Sequence, residues 1–148
     1  MSVNESNGVS LVYQSDRMSC WAAAAVMMLG WRDQVCYADD LEVRARYGDM
    51  GGDGTDPAED LQLALGQGMA VDPAACRIPE GWADLLRRGP LMTTIPGHYV
   101  ILSSIDGDGT PDGTQVYILD PTRGEHWMPY TEFELLYEAD PASITMQY

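Results

Sequence analysis

Two nearly continuous apolar runs, Tyr99 to Ile105 (YVILSSI) and Val116 to Leu119 (VYIL), constrain the fold of this 148-residue chain more than any other feature. They are rich in β-branched and aromatic residues and lack the strict alternation of a half-exposed strand, so each reads as a strand covered on both faces. Between them lies Asp106-Gly-Asp-Gly-Thr-Pro-Asp-Gly113, a concentration of turn residues that predicts an antiparallel hairpin. A sheet covered on both faces needs other elements to cover it.

The first half supplies helices. Ser19 is placed to cap a helix running from about Cys20 to Trp31, whose AAAAVMML stretch has few polar positions and predicts burial on most sides. A second helix is expected over Asp39 to Tyr47, then a glycine-rich loop from Gly48 to Thr55. A third helix opens at Asp56-Pro57 and runs toward Gly68, and a short fourth covers Trp82 to Arg88 before Gly89-Pro90. After that the period changes to two, with further strands over Leu91 to Ile95, near His126 to Pro129 and over Ala142 to Gln147. Helices followed by strands predict an α+β fold, a central helix packed on a small antiparallel sheet. The length fits one domain over residues 1–148, with 1–11 a flexible or extended N-terminal segment.

Charge and hydropathy exclude several classes of function. Twenty-three acidic against eight basic residues give a net charge of −15, which repels nucleic acid and anionic lipid and favours neutral or cationic substrates. No apolar stretch reaches the length of a membrane span, and Met1 to Val12 has neither the basic nor the apolar region of a general secretory signal. Three cysteines, Cys20, Cys36 and Cys76, lack CxxC spacing and fit neither a disulfide framework nor a zinc site. A Cys36 to Cys76 bridge would leave Cys20 unpaired, and the spacing leaves both arrangements open. The Asp106, Asp108 and Asp112 spacing misses the Gly and Glu positions of an EF-hand. No metal or other cofactor is expected.

One set of polar residues fits a common chemistry. A helix N-terminus favours negative charge, and the thiolate is the reactive form of cysteine, so Cys20 stands where a nucleophile gains most. Gln14, six residues upstream in a non-helical approach, is placed to return its amide to the space above the thiol. With the Cys20 N–H it would bind a tetrahedral oxyanion. His98 begins the first strong strand and Asp120 ends the second. A turn centred near Gly109 pairs position 98 with about position 120, making the two cross-strand neighbours able to share a proton. His126 is the reserve base if that register is wrong. Ser19, Trp21 and Gly97, beside the nucleophile and the base, are expected on the wall of a substrate cleft.

These residues also resemble a family. Gln14-Ser-Asp-Arg-Met-Ser-Cys20-Trp21-Ala22 resembles the papain-like cysteine peptidase signature. GHYVIL and VYILDPTRG resemble the His and Asp-Pro blocks of its small bacterial branches, the bacteriocin-leader-processing peptidases and the avirulence-type effector peptidases. The resemblance runs from Val12 to about Gly124 in the family's order of Gln, Cys, His and Asp, with aspartate where papain has asparagine. It implies a papain-like fold and a thiol hydrolase cleaving peptide or amide bonds through a thioester, with a protein or peptide as substrate. It further implies a bacterial effector or toxin, held in the producing cell's cytoplasm and then exported by a dedicated secretion system without a visible signal peptide. An immunity protein, inhibitor or secretion component would be its partner. Peptidoglycan amidases and inactive peptide-binding domains share the clan and are the alternative expectations.

Overall fold

The computed structural model describes residues 2–17, 19–41, 43, 68–73, 78–139 and 143–148. The expected Asp56 to Gly68 helix and Gly48 to Thr55 loop, most of the Asp39 to Tyr47 helix, and Cys76 lie outside the described residues. In chain order the elements are β1 (Val3–Ser6), α1 (Cys20–Asp33), β2 (Ala70–Pro73), α2 (Pro79–Leu86), β3 (Leu91–Ile95), β4 (His98–Gly107), β5 (Thr114–Asp120), β6 (Gly124–Pro129), α3 (Tyr130–Glu138) and β7 (Ile144–Gln147).

The strands form one antiparallel sheet in the order β2-β7-β3-β4-β5-β6, with β1 attached to β4. Strand β4 is long enough to be shared: its first half pairs with β3, and Ser104 to Gly107 pair with Ser6 to Val3. The N-terminal segment is therefore extended and paired over Val3 to Ser6.

Alternation along β4 explains the layers. Tyr99 and Ile101 point to one face, where they join Met92, Leu119, Met146 and the buried residues of α1. Val100 and Leu102 point to the other, where Leu91, Ile105, Val116 and Ile118 meet Trp82, Ala83 and Leu86 of α2 and Tyr130, Phe133 and Tyr137 of α3. Both faces are covered, which is why the apolar runs are continuous. Helix α1 is buried from Cys20 to Leu29 because its far side also meets Val12, Val43 and Met69. Its four alanines let the sheet approach closely, and it ends where Gln34 adopts φ 57° and donates its N–H to the Gly30 carbonyl.

Some boundaries differ from the sequence reading. Helix α2 starts at Pro79, three residues before Trp82, because proline is tolerated in a first turn. Helix α3 was not expected: Tyr130, Phe133 and Tyr137 follow the period of a helix with one buried face. Phe133 and Tyr137 meet the Trp82 ring edge-on, at centroid distances of 5.2 and 5.1 Å.

Candidate active site

Helix α1 begins at the mouth of an exposed bend. Ser19 occupies the N-cap position, but its hydroxyl does not cap the helix as the sequence predicts. It turns back on the bend, accepting the Asp16 N–H at 3.1 Å and donating to the Asp16 carbonyl at 3.2 Å. The Ser19 carbonyl takes up the N–H groups of Ala22 and Ala23. Cys20 is the first helical residue, at the end where N–H groups lack intrahelical partners. It is 4% exposed.

His98 reaches this point from a tight hairpin. Ile95 pairs with His98 across Pro96-Gly97, and Gly97 has φ +69°, the combination of proline and left-handed glycine that a type II turn requires. Asp120 arrives from the end of β5. The register is not the one the turn arithmetic gives, because Gly107 pairs with Thr114 and the turn is centred between Thr110 and Pro111, not at Gly109; a bulge between Leu102 and Ser104 takes only one position back, so that Ile101 faces Leu119. Continuing that register sets Asp120 across from Val100 and makes His98 its diagonal neighbour. An imidazole bridges that diagonal: His98 Nε2 and Asp120 Oδ1 are 2.7 Å apart. With Nε2 engaged, Nδ1 is left for the Cys20 sulfur, with which the imidazole also hydrogen-bonds.

The electrostatics follow from these contacts. Burial pushes the His98 pKa down, but the hydrogen bonds with Asp120 and Cys20 and the charges of both outweigh it and raise the pKa to about 9. Burial likewise pushes the Asp120 carboxyl up. The hydrogen bond and charge of His98, with the backbone N–H groups of Thr122 and Arg123, more than reverse this and hold it below the usual carboxylate range. Both N–H groups converge on Oδ1, at 2.8 and 3.3 Å, so the chain just after Asp120 wraps around its own carboxylate. The pair therefore rests as imidazolium and carboxylate at neutral pH.

Gln14 lies beside this group. Its backbone N–H donates to the Pro121 carbonyl at 3.0 Å, its Oε1 accepts from the Thr122 hydroxyl at 2.8 Å, and its Nε2 donates to the Asp16 carbonyl at 2.7 Å. Gln14, Cys20, His98 and Asp120 are thus brought to one place. Of the three residues expected on the cleft wall, two are closed off: Trp21 is 3% exposed and packs in the core, and Ser19 is buried with its hydroxyl held by Asp16. Gly97 alone of the three is exposed. His126 pairs with Ile118 in mid-strand and is exposed. Cys36 is a free, exposed thiol 3.6 Å from the Ser10 hydroxyl, so the arrangement with a Cys36 bridge is not the one found.

Two residues near the site escaped the sequence reading. Thr122 links Asp120 to Gln14, and its place two residues after an aspartate was a legible sign of a side-chain turn. Asp40 accepts the Ser15 N–H at 3.0 Å, a contact between distant segments that no local pattern announces.

Comparison with known proteins gives a family and a fold. A family model described as "Papain-like cysteine protease AvrRpt2" matches residues 3–138. Among solved structures, a double glycine motif protease from an AMS/PCAT transporter, in complex with the leader peptide, superposes with a TM-score of 0.64 at 21% identity. That alignment covers 97% of this chain and 94% of the other. UfSP from C. elegans superposes with a TM-score of 0.65 at 11% identity over 99% of this chain, which spans 33% of that protein. No curated protein matches the sequence.

Proposed function

The chain belongs to the papain-like cysteine protease family typified by AvrRpt2, and we propose that its peptidase chemistry is carried by Cys20, His98 and Asp120, with Gln14 and the Cys20 N–H binding the oxyanion. The observation that carries this reading is the hydrogen-bonded line from Asp120 through His98 to Cys20 at the start of α1.

His98 holds its proton up to about pH 9, and the attacking species is the thiolate form of Cys20, the reactive form of a cysteine, beside that imidazolium. The sulfur attacks the amide carbonyl, and the carbonyl oxygen becomes an oxyanion facing the Cys20 N–H and the Gln14 amide. His98 then gives its proton to the departing amine, the C–N bond breaks, and a thioester remains. Neutral His98 next removes a proton from water, which attacks the thioester and releases the acid, restoring the ion pair. Asp120 keeps the imidazole in place and stabilises its charge throughout.

A peptide is the substrate this reading supports best. The transporter protease that shares the fold was solved with a peptide bound, and the net charge of −15 suits neutral or cationic chains. The setting of an exported bacterial effector or toxin rests on the family match and on the Gln-Cys-His-Asp resemblance. An immunity or inhibitor protein would then cover the site.

Wild type, Cys20→Ala and His98→Ala are incubated with a proteome-derived peptide library and, separately, with purified sacculi, and products are read by mass spectrometry. Peptide cleavage by wild type, reduced at least about a thousandfold in both variants, is expected. Undiminished cleavage by Cys20→Ala defeats the assignment, and muropeptide release without peptide cleavage transfers it to cell-wall amidase chemistry.

A further inference from the structure

Building on the oxyanion role read for Gln14, we propose that Asp40 is the positioning residue that holds the Gln14–Ser15 backbone and so sets the position of the Gln14 amide.

Among the described residues of the bend between Gln14 and α1, Ser15, Asp16 and Arg17 are all exposed, so their packing does not fix it. Hydrogen bonds must fix it. On one side the Gln14 N–H is tied to the Pro121 carbonyl, and the Gln14 side chain to Thr122, so this strand of the bend follows the Asp120 turn. On the other side the next backbone N–H, that of Ser15, is tied to Asp40 Oδ2 at 3.0 Å. Asp40 comes from the segment after α1, remote in sequence from the bend. Gln14 is thereby held between two anchors, one attached to the sheet and one to the chain leaving the central helix.

Asp40 is an expensive way to make that contact. It is 0% exposed, and its second carboxylate oxygen, Oδ1, has no hydrogen bond. A half-satisfied buried carboxylate costs stability that an apolar side chain would not. Among the described residues its one hydrogen bond goes to the residue next to Gln14, so the return on that cost is the geometry of the oxyanion donor. A donor displaced by about an ångström loses most of its worth in the transition state while hardly changing ground-state binding.

The test compares wild type, Asp40→Ala, Asp40→Asn, Gln14→Ala and the double variant Gln14→Ala/Asp40→Ala on a peptide that wild type cleaves. Alkylation of Cys20 by iodoacetamide, a reaction that forms no oxyanion, is measured alongside. Asp40→Ala is expected to lower kcat by about 10- to 100-fold while KM and the alkylation rate stay within about threefold. Asp40→Asn, whose side-chain oxygen can still accept the Ser15 N–H, should recover most of the loss, and the double variant should be no slower than Gln14→Ala. If Asp40→Ala does not fold, a backbone ester at Ser15 removes the donor instead and should give the same fall in kcat. Wild-type kcat with the donor or acceptor removed overturns the assignment. So does an equal loss in Asp40→Asn, an additive loss in the double variant, or a parallel fall in alkylation. Should Gln14→Ala itself keep full activity, the oxyanion role of Gln14 fails and this inference with it; a fall in Gln14→Ala but not in Asp40→Ala removes only the inference.

Discussion

Replacing Asp120 by asparagine keeps the shape of the side chain and an oxygen to accept the N–H groups of Thr122 and Arg123, but removes the charge facing His98. In the wild-type site His98 rises from 6.5 to about 9, which at about 1.4 kcal/mol per pH unit is roughly 3 kcal/mol in favour of the imidazolium. That preference exists although burial opposes it, and the hydrogen bond to Asp120 is the largest contribution on the favourable side. Without the carboxylate charge, burial is opposed chiefly by Cys20, so the His98 midpoint should fall by about one pH unit or more. Imidazole resonances followed by NMR from pH 5 to 10 give the midpoint, and the alkaline limb of kcat/KM should move with it. Stability carries the same signature. A raised folded-state pKa stabilises the fold fully below about 6.5, and the contribution is lost as pH rises through about 9, so wild type should weaken across that window more than Asp120→Asn. A wild-type His98 that titrates near 6.5, or an Asp120→Asn midpoint equal to that of wild type, refutes the reasoning.

Thr122→Val removes the hydroxyl that holds Gln14 Oε1 but keeps the N–H on Asp120, so kcat should fall about tenfold with the His98 midpoint unchanged, as kinetics and NMR would show. Phe133→Ala empties a buried site between Trp82 and Tyr137 and should cost about 3 to 5 kcal/mol in urea unfolding; a loss below about 1 kcal/mol contradicts the packing described. Gly97→Ala and Gly107→Ala separate two reasons for glycine. At Gly97, with φ +69° and no atom within 4 Å of an added Cβ, thermal unfolding should report a penalty of about 1 to 2 kcal/mol. An added Cβ at Gly107 would collide with the backbone of Gly113 and Thr114, so this substitution should cost more than that at Gly97.

The layered fold was legible because burial on both faces leaves a mark in composition: YVILSSI and VYIL announce covered strands, and the alanine-rich stretch after Cys20 announces a helix enclosed by its neighbours. The site was legible because its residues stand at element boundaries, Cys20 at a helix start and His98 and Asp120 at strand ends, where turn residues mark them. The register was not, because turn residues spread over Asp106 to Gly113 do not mark the centre of the turn, and nothing in Leu102-Ser-Ser104 distinguishes a bulge from a regular strand. Strand β1 was hidden because VNES has no alternating apolar pattern; it pairs with β4, and Val3 joins the core against the Pro79–Leu86 helix. The buried face of α3 was present in the sequence, but its tyrosines, threonine and phenylalanine are equally at home in strands. Trp21 was misplaced by its neighbour: adjacent helical residues point about 100° apart, so a side chain next to a nucleophile can belong wholly to the core. Asp40 depends on a contact across 25 positions, which only the folded chain reveals.

The reactivity of the thiols puts the ion pair to its most direct trial. Cys36 is exposed, whereas Cys20 is 4% exposed, so accessibility alone predicts that iodoacetamide modifies Cys36 first. If His98 and Asp120 hold Cys20 as a thiolate, peptide mapping after brief treatment at pH 6 should find Cys20 modified faster than Cys36, with the order reversed in His98→Ala. Faster labelling of Cys36 in the folded wild-type protein would contradict the account.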